Sequence, residues 1–371
     1  MTAHRPAQYF SETYADARKR FVDAVAQQGG TLHSNPLKDQ PGRYGETLST
    51  DTAWFGPPDA DRVFVSISGT HGQEFFSGAA GQLCWVMTQA SEPLPDNVAV
   101  CLIHCHNPYG ASYNSRGNEN FVDLNRNYFD PGKAIRPNAL YEPLYRLLFT
   151  KDMSERILDE VMAAFYRFVE HNDTQKALTA MGGGQNTHPL GTLYCGHGDE
   201  ASTRNLRALV DGKLCRAKQV ALIDWHTGLG DFGDVTVMID DPIHTETYRW
   251  ACTWWGGPEA SEAIQPKETA PDSIGMVREG MADQLRGHGA QVASAVVEIG
   301  TVDNEAVLGA LLIDRWLRFE CTDSDAPEAV RLRAMMMERL NPSLPSWRAK
   351  VIEHTTLLYA KSIMGLANWG R

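Results

Sequence analysis

Short apolar runs rich in β-branched residues alternate along this chain with longer segments of helical periodicity. A short apolar run between turn residues predicts a buried strand, whereas apolar residues recurring about every three or four positions predict an amphipathic helix. Strands are predicted over Arg62–Ser68 and Asn97–Cys105, from Gln219 to His226, over Asp234–Asp240, and from Ala293 to Glu298. Helices are predicted over about Glu74–Thr88, Asn138–Ala180 and Ser202–Cys215, and from Glu305 to the end of the chain.

The order of these elements indicates the fold class. Strands that alternate with helices are typical of α/β proteins, in which helices cover a mostly parallel sheet. We therefore predict a three-layer α/β sandwich with a central mixed, largely parallel sheet flanked by helices. The segments outside candidate boundaries near Asp51 and Ser324 are short or amphipathic. Residues 1–371 are thus predicted to form a single domain, with helical insertions at about 138–180 and a helical tail at about 325–371.

Composition and charge narrow the class of protein. The 371 residues are 43% hydrophobic and carry a net charge of −12 without any basic run, and phosphate binding needs concentrated positive charge, so no nucleic-acid partner is expected. The N-terminal residues lack the apolar segment of a signal peptide, and no window is apolar enough to span a membrane, so no membrane partner is expected. Seven scattered cysteines without a C-x-x-C pair indicate reduced thiols and a cytoplasmic location.

Histidine and carboxylate side chains stand at the predicted strand ends, where open α/β sheets bind their ligands. His71 and Glu74 follow the first strand, and His226 and Glu298 end two later strands. A single histidine there usually makes a structural hydrogen bond, but three such strand ends indicate a metal or proton-transfer site. A catalytic zinc ion takes three His or carboxylate ligands and keeps one position open, and His71, Glu74 and His226 supply that set. Gly72 would let the chain pass close to the metal.

Asp224 precedes His226 by two residues and lies on the same face of a regular strand. Two roles remain open for it. It is either a carboxylate behind the metal that orients an imidazole, or a buried carboxylate that accepts a hydrogen bond from a neighbouring backbone amide.

Four short motifs occur in a recognisable order: HGQE at 71–74, VDLNRN at 122–127, IDWHTG at 223–228 and VVEIGT at 296–301. Together they resemble the zinc carboxypeptidase superfamily and the related aspartoacylase and succinylglutamate desuccinylase enzymes. The resemblance spans about Val63–Thr301, and the H-x-x-E pair gains its specificity from the accompanying DLNRN motif. The resemblance implies one Zn²⁺ ion, held by His71, Glu74 and His226.

The DLNRN motif supplies groups that suit a carboxylate. By position in the motif, the resemblance implies that Asn125 and Arg126 bind a carboxylate of the substrate. The planar guanidinium of arginine matches a carboxylate with two parallel hydrogen bonds, and the asparagine amide adds a neutral donor. An alternative remains open, in which the motif is a turn whose polar side chains satisfy their own backbone while Arg126 pairs with Asp123.

Glu298 and Arg116 complete the implied site. Glu298 ends a buried strand, where an unpaired carboxylate is costly; the resemblance implies that it is the general base, and a structural ion pair is the alternative. In the resembling families, an arginine in the loop before the DLNRN motif polarises the scissile carbonyl and stabilises its oxyanion. Arg116, nine residues before Asn125, is the candidate for that role. The alternative is a solvated loop arginine that pairs with Glu119.

The predicted function is zinc-dependent hydrolysis of an amide or peptide bond next to a free carboxylate, as in a metallocarboxypeptidase. Water activated by zinc would attack the carbonyl, and Glu298 would take its proton and return it to the leaving amine. The expected partner is a small peptide or N-acyl amino acid substrate with a free carboxylate; the oligomeric state is left open. Two alternatives also remain: an N-acyl-amino-acid deacylase of the aspartoacylase or desuccinylase type, and a catalytically inactive zinc- or ligand-binding protein.

Other histidines fit the metal site less well. His104 and His106 lie at what resembles the usual exit of a strand in these families, so a structural role is expected. His188 and His197 lie in a glycine-rich loop that would line the pocket, and they are secondary candidates. The tryptophan-rich segment Tyr248–Gly257 is expected in the core or in the pocket wall.

Overall fold

The computed structural model describes residues 6–130, 135, 137–239, 241, 242, 244–256 and 272–370. Within these residues the strands are β1 (Thr31–Pro41), β2 (Thr47–Phe55), β3 (Arg62–Ile67), β4 (Val98–His104), β5 (Gln219–Gly228), β6 (Val235–Met238) and β7 (Gln291–Gly300). They form one sheet in the order β1-β2-β4-β3-β5-β7-β6. The central strands β4, β3, β5 and β7 run parallel, and the pairs at both margins are antiparallel.

The helices of the described residues follow in chain order. They are α1 (Tyr14–Gln27), α2 (Phe75–Thr88), α3 (Pro108–Tyr113), α4 (Tyr141–Leu148), α5 (Glu155–Glu170), α6 (Thr174–Gly182), α7 (Ala201–Gly212), α8 (Glu246–Trp255), α9 (Val277–Gly287), α10 (Asn304–Phe319), α11 (Pro327–Leu340) and α12 (Pro345–Ala367). Short 3₁₀ turns are formed by Pro6–Tyr9, Gly72–Glu74, Leu124–Arg126 and Leu214–Arg216.

Apolar side chains on both faces of the sheet make two cores. Phe64, Trp225 and Val297 point to one face, where they pack with residues of α1, α2, α8 and α12. Val65 and Leu222 point to the other face, where they pack with residues of α7 and α9. Strands buried on both faces read as continuous apolar runs, which is why the central strands were visible in the sequence. The predicted α/β class, with a mixed sheet flanked by helices, is confirmed.

A third apolar cluster joins helices distant in sequence. It contains residues of α4, α5 and α6 together with α10 and α11. Helices α4, α5 and α6 fall in the predicted insertion at about 138–180, and α11 and α12 fall in the predicted tail. The five helices of this cluster, α4, α5, α6, α10 and α11, form a layer, called the helical layer below. Through α11 the layer contacts the turn after β3 and the strand β5.

The five predicted strands are present, with shifted ends. β5 continues two residues beyond His226, and β7 continues two beyond Glu298, so both side chains lie inside their strands. Asp240, the predicted end of the fourth strand, lies outside the described residues. The sequence did not predict β1 and β2, and the candidate boundary at Asp51 lies within β2. β1 is largely exposed and contains Pro36, features of an edge strand that hide it from an apolar pattern.

Three further expectations concern membrane-spanning helices, the cysteines and the tryptophan-rich segment. None of the helices in the described ranges combines the length and the hydropathy that a bilayer span requires. All seven cysteines are free thiols, four of them buried. Trp254 and Trp255 of the tryptophan-rich segment lie in a core cluster with Trp369; Gly257 lies outside the described residues.

Candidate metal centre

The turn after β3 presents two of the predicted ligands together. His71 has an extended backbone and precedes the 3₁₀ turn Gly72–Glu74, which runs directly into α2. A Cβ atom on Gly72 would lie 1.9 Å from the carbonyl carbon of Gly110 in α3. The glycine is therefore required by close packing against α3, while its role in a close approach to a metal stays a prediction.

The parallel strands bring the other groups to the same level. His226 of β5 and Glu298 of β7 are direct register partners, and Ile67, the last residue of β3, pairs with Asp224 of β5. Asp224 and His226 share one face of β5 because side chains alternate along a strand. The turn after β3 thus begins beside the part of β5 that carries Asp224 and His226, and β7 with Glu298 lies on the other side of β5.

His71, Glu74 and His226 converge on one point. Nδ1 of His71 lies 2.9 Å from Oε1 of Glu74, and Nδ1 of His226 lies 3.1 Å from Oε2 of Glu74. The two Nδ1 atoms are 3.1 Å apart. All three side chains are buried. Among the described residues, these three side chains form a group that could hold a metal ion, each with one ligand atom within 4.8 Å of the others.

The spacing of these atoms suits a small divalent cation. Two imidazole nitrogens at 3.1 Å can share at most one proton, whereas a cation between them uses both lone pairs. A tetrahedral zinc ion with zinc–nitrogen bonds of about 2.0–2.1 Å holds its ligand atoms about 3.3 Å apart. The three side chains therefore fit such an ion with little movement.

The charges in the cluster also call for a cation. Burial disfavours the charged form of Glu74, but His71 and His226 outweigh it and hold the pKa of Glu74 below its usual value. Burial likewise opposes charge on His226, whereas Asp224 and Glu74 raise the pKa of His226 well above its usual value. Either a proton or a metal ion must compensate these carboxylates, and the two compete for the same atoms.

A carboxylate lies behind each imidazole. Oδ1 of Asp123 lies 3.2 Å from Nε2 of His71. Oδ2 of Asp224 lies 3.0 Å from Nε2 of His226 as an ion pair, without the alignment of a hydrogen bond. The other oxygen of Asp224 accepts from the hydroxyl of Thr70 at 2.8 Å. Such partners hold the Nδ1 atoms toward the cluster, and Asp123 is a member that sequence reasoning did not assign, although it stands in the DLNRN motif.

Arg116 lies at the edge of the cluster. Its Nε donates to Oδ2 of Asp123 at 2.8 Å, and its Nη1 lies 3.5 Å from Oε1 of Glu74. These partners replace Glu119, which the sequence alternative had named. The side chain is 16% exposed, so the guanidinium is held by two carboxylates rather than solvated in a loop.

The guanidinium of Arg126 donates to two backbone carbonyls and, through Nη1 at 3.0 Å, to the sulfur of Met276. Nε and Nη2 donate to the carbonyl of Gly182 at 3.1 and 2.8 Å, and Nη1 donates to that of Asn125 at 2.6 Å. Burial lowers the pKa of Arg126 to about 10. The Asn125 side-chain oxygen accepts from the backbone N–H of Val277 at 3.0 Å. A substrate carboxylate bound to Arg126 by Nε and Nη2 would replace the carbonyl of Gly182.

Glu298 faces the cluster without a basic partner. It is 9% exposed, and no ion pair joins it to a lysine or arginine among the residues described. Burial, reinforced by the negative charge of Glu74, raises the pKa of Glu298 to about 7, while His226 and His71 oppose the shift. The backbone N–H of Leu229 donates to it over a long 3.5 Å. A carboxyl group of this kind exchanges its proton near neutral pH.

His104 and His106 lie outside the cluster. His104 makes a 2.9 Å contact with Oε1 of Gln82 and stacks on Phe21 with ring centroids 4.0 Å apart. Burial lowers the pKa of His104 to about 3 and that of His106 to about 4. Both rings are therefore neutral at physiological pH.

The histidines of the glycine-rich loop also lie elsewhere. His188 pairs with Glu142 of α4 and packs against Tyr145. The ring of His197 lies 6.1 Å from that of Tyr194. Neither is a member of the metal-ligating group.

Comparisons with known proteins agree with this architecture. A family model described as "Protein of unknown function (DUF2817)" matches residues 10–354. A search of curated proteins finds no match. Bovine thrombin-activatable fibrinolysis inhibitor, solved in complex with tick carboxypeptidase inhibitor, is 9% identical with a TM-score of 0.50, and the match covers 96% of this chain and 97% of that chain.

Carboxypeptidase A from Helicoverpa armigera is 11% identical with a TM-score of 0.45, and that match covers 88% of this chain and 73% of the other. The likeness to the bovine protein concerns the fold. The fold that the resemblance implied is therefore confirmed.

Proposed function

The chain belongs to the family described as "Protein of unknown function (DUF2817)", and we propose that it is a zinc-dependent hydrolase of an amide or peptide bond next to a free carboxylate. The observation that carries the proposal is the convergence of His71, Glu74 and His226 on one point, with Glu298 on the adjacent strand. A divalent cation at that point would polarise the scissile carbonyl and lower the pKa of a water molecule.

Glu298 is the proposed general base and acid. Its pKa of about 7 lets it lose and regain a proton near neutral pH, which is the range in which proton transfer by a side chain is most effective. It takes a proton from the attacking water and returns it to the leaving amine. The ionised carboxylate of Glu298 is restored at the end of the cycle.

Arg116 is the proposed partner of the oxygen that becomes negative during the attack. Its Nε and Nη1 face Asp123 and Glu74, and its Nη2 has no hydrogen-bond partner among the described residues. That amino group remains as a donor. A donor already held in place stabilises developing charge without reorganisation.

Arg126 and Asn125 are the proposed groups for the substrate carboxylate, as the family resemblance implies. The supporting observation is the position of Arg126 close to the candidate metal centre. Its charge interacts with that of Asp123, and Asp123 in turn contacts His71. Binding would exchange the carbonyl of Gly182 for two carboxylate oxygens. Two hydrogen bonds between the guanidinium and an ionised carboxylate are stronger than those it makes to a neutral carbonyl.

The burial of the site favours one candidate substrate within this reaction class. His71, Glu74, His226 and Glu298 are each at most 9% exposed. Such a site suits an N-acyl amino acid or a very short peptide better than the end of a long chain. A deacylase of N-acyl amino acids is therefore the second candidate function.

The test combines metal analysis with a small hydrolysis panel. Purified protein is reconstituted with zinc and assayed on di- and tripeptides and on N-acetyl and N-succinyl amino acids. Each substrate is paired with its C-terminally amidated form, which lacks the carboxylate. We expect one zinc ion per chain and hydrolysis of the free acids over the amides. Zinc binding without hydrolysis of any carboxylate-bearing amide would refute the enzyme and favour a binding protein.

A further inference from the structure

Asp314 is a buried carboxylate in the helical layer. It lies on α10, is 4% exposed, and follows the core residues Leu312 and Ile313 in sequence. A carboxylate in an apolar layer is costly unless hydrogen bonds satisfy it. Its oxygen Oδ2 accepts from the backbone N–H of Arg116 at 2.7 Å and from the hydroxyl of Ser115 at 3.2 Å. The buried group is thus directed at the residue that borders the candidate metal centre.

A second side chain holds the other backbone group of Arg116. Nδ2 of Asn107 donates to the carbonyl of Arg116 at 3.0 Å, while Oδ1 of Asn107 accepts from the N–H of Gly110 at the start of α3. The N–H and the carbonyl of Arg116 are therefore fixed from two different elements. This leaves the root of the arginine side chain little freedom.

Helix α10 also contacts the loop that follows Arg116, at two further points. Arg318 donates to the carbonyl of Glu119 at 2.8 Å, and the ring of Phe319 packs against that of Phe121 with centroids 4.8 Å apart. These contacts attach the loop to α10 without touching Arg116. They supply a comparison for the contact made by Asp314.

We propose that Asp314 is a positioning residue, which fixes the backbone of Arg116 so that the Nη2 group stays beside the candidate metal centre. The proposal rests on the proposed function for the role of Arg116, and the two are tested separately below. Asp123 and Glu74 hold the outer end of the same side chain. A purely structural Asp314 would stabilise the chain without any effect on a ligand at the centre.

The test measures binding of acetate to the zinc-loaded protein by calorimetry. Acetate is a small carboxylate whose two oxygens can contact both the cation and Nη2. Loss of one charge-assisted hydrogen bond weakens binding about tenfold, so we expect Arg116→Ala and Asp314→Ala each to weaken acetate binding by about that factor. The double variant should bind acetate no more weakly than Arg116→Ala alone, because both changes act on the same interaction, that of acetate with Arg116.

Two matched variants separate positioning from general loosening. Asp314→Asn keeps an oxygen that accepts from the N–H of Arg116, and we expect it to retain wild-type acetate affinity. Arg318→Ala removes the contact of the same helix with Glu119, and it too should retain that affinity. Zinc content and thermal midpoint are measured for every variant.

Several results would overturn the proposal. They are unchanged acetate affinity in Asp314→Ala, an equal further loss when that change is added to Arg116→Ala, or no acetate binding by the wild-type protein. Should Asp314→Ala fail to fold, hydrogen exchange in the wild-type protein decides: the Arg116 amide is expected to exchange slowly, and exchange as fast as an exposed loop amide refutes the anchor.

The two proposals fail differently. Coupled acetate binding without hydrolysis of any amide in the panel would overturn the proposed function and leave the positioning role intact. Hydrolysis without coupling between Asp314 and Arg116 would overturn the positioning role alone.

Discussion

Glu298→Gln is expected to change stability and activity in opposite directions. Glutamine has the shape of glutamate but carries no charge and cannot transfer a proton as a base. Glu298 is not one of the three converging ligands, so zinc content should be unchanged. The variant therefore isolates the carboxyl group of a residue that the proposal makes the general base.

The effect on stability follows from the pKa of Glu298. Burial raises that pKa from 4.5 to about 7, a difference worth about 3 kcal/mol between the folded and unfolded chain. Because the folded pKa is the higher one, the wild-type protein loses this stability as pH rises from about 4.5 to about 7. Metal-free Glu298→Gln escapes the loss, and we expect it to gain up to about 3 kcal/mol over the wild type by pH 8.

The effect on activity is the reverse. A positioned general base contributes about 10²- to 10⁴-fold to rate, so kcat of zinc-loaded Glu298→Gln should fall by a factor in that range. Stability is measured by urea unfolding in chelator at pH 4.5 and pH 8, and activity on the best substrate of the panel. The exposed Glu92→Gln is the control and should change neither. Full turnover by zinc-loaded Glu298→Gln would refute the mechanism. An equal gain in the free energy of unfolding at pH 4.5 and pH 8 would refute the cost assigned to the buried charge of Glu298.

Three further outcomes test the cluster and its supports. His226→Ala should lose stoichiometric zinc in metal analysis, whereas His188→Ala, outside the cluster, should keep it; zinc retention by His226→Ala would contradict the assigned ligand set. Asp224→Asn should weaken zinc affinity about 10- to 100-fold, and a competition titration with a chromogenic chelator showing wild-type affinity would exclude a role in orienting the imidazole. Gly72→Ala should destabilise the chain by about 3 kcal/mol in urea unfolding, since its Cβ would lie 1.9 Å from a backbone carbon of Gly110; wild-type stability would mean that α3 yields freely.

The cluster of candidate ligands could be predicted because its signals are local. His71 and Glu74 are three residues apart at the start of a helix, and His226 and Glu298 lie in apolar runs that read as strands. Burial of a polar group within such a run is itself a signal. The parallel order of β3, β5 and β7 then places the groups together, as the rule for strand ends requires.

Other contacts depend on residues far apart in sequence. Asp314 is 198 residues from Arg116, and Gly182 is 56 residues from Arg126. Nothing in the amphipathic pattern of α10 distinguishes an aspartate that faces a loop from one that faces water. The edge strand β1 was missed for a related reason, because its exposed, proline-containing sequence lacks the alternation that marks a half-buried strand.

The pairing of His226 with Glu298 has a consequence for how this centre can be altered. Adjacent strands lie about 4.8 Å apart, a spacing set by main-chain hydrogen bonds and independent of side chains. Slipping either strand by one residue would turn its side chain to the opposite face. The separation of their two Cα atoms is therefore a property of the backbone, and redesign of the surrounding loops can reshape the entrance while leaving that separation untouched.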